Sequence, residues 1–134
     1  MNGWFLVAGI LCLILTPIHA WGGEYVFQRM GHETFPKIPN GDGKIAKQEI
    51  RFGWHGVSVD FIVSGIALIV FALDSTLVGV SLTASLIAIY FVGYAIVIAT
   101  LPIIALRTPK TLLISPQWIA CLAVAVLIFG GITA

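Results

Sequence analysis

The sequence predicts an all-α, polytopic membrane protein, a four-transmembrane-helix bundle in which residues 1–134 form a single domain. Two observations lead there. Hydrophobic residues make up 59% of the chain and charged ones 10%, against roughly 45–50% and 25% in ordinary soluble domains, and the mean hydropathy is +1.04. The apolar residues also gather into four runs, about 4–21, 53–73, 76–105 and 112–132, each near or above the roughly 20 residues that cross about 30 Å of hydrocarbon. Lipid offers the backbone no hydrogen-bond partner, so runs of this length without alternation are predicted as helices.

The first run, Trp4 to Ala20, resembles a secretory signal only superficially. No Lys or Arg precedes it, and Ile18 is a poor residue three before a cleavage point after Ala20. It is therefore predicted as a retained helix. Residues 22–52 follow as a basic loop carrying Arg29, Lys37, Lys44, Lys47 and Arg51. Within it, Asn40-Gly41-Asp42-Gly43-Lys44-Ile45 and Glu49 partly match a calcium loop of the EF-hand kind, with Asn40, Asp42 and Glu49 as candidate ligands. Ile38 at the first ligand position offers no oxygen, Pro36 and Pro39 interrupt the entering helix, and Asn-Gly-Asp-Gly is also an ordinary turn sequence. The turn reading is preferred.

The second and third runs are separated only by Asp74-Ser75-Thr76, which predicts a tight antiparallel hairpin. The third run exceeds what a bilayer requires and contains Pro102, so a tilted helix that bends or ends there is expected. Ser115-Pro116 is a start signal for the fourth helix, with Ser as cap and Pro at the first helical position. Small residues recur on the third helix (Gly79, Ser81, Ala84, Ser85, Ala88, Gly93) and on the fourth, which favours close helix packing in lipid. Cys12 and Cys121 sit inside apolar runs and read as small buried hydrophobes. Trp4, Trp21, Trp54 and Trp118 fall near the ends of runs, where tryptophans anchor helices at the membrane surface.

All seven Lys and Arg residues lie in the first and third connections, counting Arg107 and Lys110. The positive-inside rule places that face in the cytoplasm and both termini outside. A formal net charge of +1 without a basic stripe leaves nucleic acid without a binding surface.

The polar residues concentrate where the first helix ends and the second begins. His19 and Glu24 meet that level on one side, and Arg51, Trp54 and His55 on the other. Arg51 and His55, four apart, share a helical face. An ion pair between Glu24 and Arg51 is expected to tie the helices together, and the cluster reads first as a structural network at the interface. It is also a candidate site for a small ligand. His19, Glu24 and His55 are a weak metal set, and two imidazoles could ligate a haem. No cofactor is called for, haem or a metal ion being the lesser alternative. Asp60, five residues beyond His55, is the one acid clearly inside a run, where a carboxyl costs a few kcal/mol unless paired, protonated or wet. Its simplest reading is a hydrogen bond to Ser, Tyr or Trp across the bundle, and its sharper reading is proton or cation handling.

The succession His19-x-x-Gly-Gly-Glu24 and then Arg51-Phe52-Gly53-Trp54-His55, with Ser58 close behind, resembles a group of small, uncharacterised four-helix bacterial inner-membrane proteins. The resemblance covers roughly residues 15 to 70. It implies a multi-pass protein of the bacterial inner membrane and draws attention to His19, Glu24, Arg51, Trp54 and His55, but it supplies no reaction. The extra Gly before Glu24 and the charged Asp60 depart from the pattern.

No nucleophile and base, phosphate-binding loop or catalytic carboxylate pair can be assembled, so the chain is not expected to be an enzyme. The favoured function is a small non-enzymatic membrane module, an accessory or scaffold subunit that binds a small ligand at the cytoplasmic ends of helices one and two. A small ion or solute transporter or channel, acting as an oligomer through Asp60, is the alternative. A haem- or metal-binding electron-transfer protein is the weaker one. Its expected partners are the lipid bilayer and either further copies of itself or a larger membrane complex.

Overall fold

The computed structural model describes residues 1–34, 43–74, 76–106 and 117–134. Every regular element among them is helical: α1 (Gly3–Arg29), a short 3₁₀ turn (His32–Thr34), α2 (Gly43–Leu73), α3 (Val80–Leu106) and α4 (Gln117–Thr133). Three helices, α1, α2 and α3 over Val80–Thr100, are long and apolar enough to cross a membrane; α4, at 17 residues, is a shorter apolar helix.

Helix ends alternate between two ends of the bundle. At one, the Asn2 side chain caps α1 by accepting from the amides of Trp4 and Phe5. The same residue donates through Nδ2 to Gly131 O at the end of α4 (2.7 Å) and through its amide to Ala72 O at the end of α2 (2.9 Å). One residue thereby joins the start of α1 to the last turns of α2 and α4. At the other end, Glu24 of α1 meets Arg51 of α2.

α1 and α2 approach closely at Gly9 and Gly65. A Cβ on Gly9 would stand 2.8 Å from Gly65 O, and one on Gly65 3.0 Å from Gly9 O. Small residues that let backbones approach are how helices gain packing energy in lipid, where no hydrophobic force drives them together. On α3 the buried Ala84, Ala88 and Ala95 serve α4 in the same way, beside Val124, Ala125 and Ile128. Ser81 and Gly93 are exposed and Gly79 lies before α3. Phe5, Cys12, Phe61, Leu68, Phe91, Cys121, Val124 and Ile128 meet in the centre, with both thiols free and buried.

Several expectations are corrected. α1 continues eight residues past position 21, and α2 begins ten before position 53, so most of the supposed basic loop 22–52 is helix. Hydropathy marks the part of a helix that lipid can surround; the helix itself runs on into water wherever its residues permit. The tight α2–α3 hairpin does not form as expected. The connection occupies 74–79, Gly79 with φ of +82° turns the chain, and α3 starts only at Val80. α2 then packs chiefly on α1 and α3 on α4, while α2 and α3 meet through long side chains such as Phe61 and Phe91, 5.4 Å between ring centres. α3 ends one turn beyond Pro102, at Leu106. The Ser115-Pro116 start signal, Arg107, Lys110 and Lys37 lie outside the described residues, as do Asn40 and Asp42 of the calcium loop. Glu49 is described, and it stands within α2, whose helix already begins at Gly43. An EF-hand loop keeps its middle positions open for backbone ligands, so helical 43–49 does not fit one.

Candidate functional site

Glu24 and Arg51 form a two-pronged ion pair between α1 and α2, with Arg51 Nε donating to Glu24 Oε2 (2.9 Å) and a terminal guanidinium nitrogen to Oε1 (2.7 Å). This fork geometry is the strongest arrangement available to Arg and carboxylate. Gln28, one turn further along α1, donates to Oε1 (3.3 Å), and His55 Nε2 lies 3.4 Å from Oε2. The spacings 24/28 and 51/55 bring all four onto the facing sides of the two helices.

His19 and Trp54 form the layer beneath. Their rings stack at 4.3 Å and 6°. Trp54 Nε1 donates to the backbone oxygen of His19 (2.9 Å), and His19 Nδ1 is 3.0 Å from Ser58 Oγ. Phe27 abuts Trp54 edge-on and Phe61 lies 6.0 Å from the His19 ring. Trp54 is thus turned into the protein, not out to the headgroups as its position near a run's end suggested. The indole occupies the place where a Cβ on Gly23 would be, so the packing requires glycine at this position. Ser58, Phe61, Phe27 and Gln28 were not singled out from the sequence as site residues. The spacing 54, 58, 61 was the available signal, being one face of α2.

Next to this stack lies a cavity of about 240 Å³ reached by all four helices. Its wall includes His19, Gly22, Trp54, Phe61, Ile98 and Gln117. Among the described residues no Asp, Glu, Lys or Arg lines it. Ile18 and Val26, which also border it, are 60% and 50% exposed and mark an opening beside α1.

Asp60 is elsewhere, on the α2–α3 flank. Tyr90 and Tyr94 of α3 both donate to its Oδ2, at 2.5 and 3.2 Å, and their hydroxyls are 2.9 Å apart. The carboxyl is thus held by hydroxyls across the bundle, next to a surface groove bordered by Ser64 and Thr83. Among the described residues no three His, Cys, Asp or Glu side chains gather as a metal site. His19 and Glu24 belong to separate layers, His19 engaged with Ser58 and Trp54, Glu24 with Arg51 and His55.

No family model matches the chain, and no curated protein or solved structure does. The geometry itself defines a class no finer than an all-helical protein with at least three helices able to cross a membrane.

Proposed function

We propose that the chain is a small non-enzymatic module of the bacterial inner membrane, crossing it four times with both termini outside. It acts as an accessory or scaffold subunit of a membrane complex, or as an oligomer of its own, and holds a small ligand at the cytoplasmic ends of α1 and α2. The observation that carries this reading is the pairing of a polar clamp (Glu24, Arg51, Trp54, His19) with an adjoining, largely apolar cavity. A clamp supported by hydrogen bonds on both helices is how a scaffold keeps a ligand wall in place. Asp60 does not line the cavity, and both tyrosines occupy one of its oxygens, which favours a structural role over an ion pathway.

Gentle native purification tests this. Co-purifying chains in fixed ratio, or a discrete oligomer, are expected. A solitary monomer together with counter-ion-dependent flux in proteoliposomes that disappears in Asp60→Asn would overturn it in favour of a transporter.

A further inference from the structure

The cavity beside His19 and Trp54 sets limits on its own ligand. Its volume of about 240 Å³ exceeds the ~150 Å³ that accommodates benzene in an apolar protein interior and is below the ~300–1,000 Å³ of sites that enclose whole drug-sized molecules. One substituted ring fits. With no Asp, Glu, Lys or Arg among the described residues of the wall, a charged ligand would lose its hydration without replacement from them. The occupant is therefore neutral. Trp54 and Phe61 contribute aromatic side chains to the wall, and exposed Ile18 and Val26 at the opening suit an apolar tail that remains outside, against α1.

The polar groups narrow the class further. His19 Nδ1 is engaged with Ser58 Oγ, and among the described residues its Nε2 has no hydrogen-bond partner. If Nδ1 accepts from the Ser58 hydroxyl, Nε2 carries the proton and donates; if Nδ1 donates, Nε2 accepts. The Ser58 hydroxyl can rotate to serve either tautomer. A wall that can switch between donor and acceptor at one nitrogen matches a ring oxygen that exists both as carbonyl and as hydroxyl. Gln117, on the α4 side of the wall, adds an amide with both functions.

We infer that this cavity binds the single-ring head of a lipid-soluble quinone, in its oxidised or its reduced form, with the tail leaving between α1 and the lipid. The inference names the ligand class of the site in the proposed function and rests on that reading. Binding alone is inferred, with no electron transfer.

The probe is a benzoquinone bearing a ten-carbon tail, titrated into the full chain in lipid nanodiscs and read by quenching of tryptophan fluorescence against empty discs. Saturable binding of one molecule per chain is expected. His19→Phe, which keeps a flat ring of similar size, should weaken it about 10-fold, the scale of one lost hydrogen bond. Ala120→Phe, which fills the cavity from α4, should abolish saturation. Should Ala120→Phe lower the melting temperature, Gly22→Leu is the second filling variant, since a Cβ at Gly22 meets nothing within 4 Å. A tail-matched alkylbenzene lacking oxygens should bind at least several-fold more weakly. Absence of saturation, binding indifferent to the filling variant that folds, no change in His19→Phe, or equal affinity for the alkylbenzene each overturns the inference. The co-purification result is independent of it, so a subunit with partners but no quinone site remains distinguishable.

Discussion

At the scale of single residues, the Glu24–Arg51 fork is the interaction whose removal is most informative. Glu24 is shared by Arg51, His55 and Gln28, so deleting it leaves the guanidinium without its partner, and deleting Arg51 leaves the carboxylate with two weaker donors. Each single alanine variant should lower the melting temperature in detergent by nearly as much as the double variant does. The double-mutant cycle measures this directly, and additive losses would show that the fork contributes nothing as a pair. The meeting of these charges could be read in the sequence because an apolar run ends before Glu24 and another begins after Arg51. What Trp54 does could not be read. Its position near the end of a run is that of an anchor, and only the direction of its side chain, set by the absence of a Cβ at Gly23, turns it onto His19.

At the scale of elements, glycines of identical composition have opposite consequences, which the packing decides. Gly9→Ala places a methyl 2.7 Å from Ile69 Cγ1 and 2.8 Å from Gly65 O. Backbone cannot yield there without parting α1 from α2, so a loss of roughly 1–3 kcal/mol is expected. Gly93→Ala meets nothing within 4 Å on an exposed face of α3 and should be neutral or add about 0.5–1 kcal/mol through helix propensity. Thermal melts of the two variants in one detergent provide the comparison, and an equal loss in both would refute the crossing. The sequence singled out small residues on the third and fourth helices, but not the Gly9–Gly65 pair, because a crossing is a property of two helices and neither run alone reveals where it meets the other.

The connection between α2 and α3 carries a pH dependence. The hydroxyl of Thr76 (2.6 Å) and its amide (2.9 Å) both donate to Asp74 Oδ1, and these bonds hold the Asp74 carboxyl below its ordinary value. A carboxyl that is more acidic in the folded state contributes stability above its unfolded pKa and loses it as the pH falls through its folded value. Asp74→Asn removes that titration. Relative to the wild type, the variant should therefore lose less stability on acidification below about pH 4, measured as melting temperature against pH. Identical slopes would show that the turn does not depend on the ionised carboxylate.

At the scale of the whole molecule, the two clasps at the bundle ends bear on the number of crossings. Asn2 joins the start of α1 to the end of α4, while Glu24 and Arg51 join the end of α1 to α2. α1 is about 40 Å long and α2 about 46 Å, enough to cross the ~30 Å hydrocarbon and emerge, and the described part of α4 spans about 26 Å. Its end reaches Asn2 at the start of α1, which favours a position in the bilayer beside α1. Four crossings place both termini on one side and three place them on opposite sides. The basic residues Arg29, Lys44, Lys47 and Arg51 all lie at the end opposite Asn2, which predicts that both termini face away from the cytoplasm. Fusing a reporter that is active only outside the cytoplasm to either terminus should give activity in both cases, and a complementary cytoplasmic reporter should be silent in both. Activity at one terminus only would establish three crossings and leave α4 on the membrane surface. Moving the basic residues tests the cause: replacing Lys44, Lys47 and Arg29 with Gln while adding lysines beside Asn2 should shift part of the population to the inverted orientation.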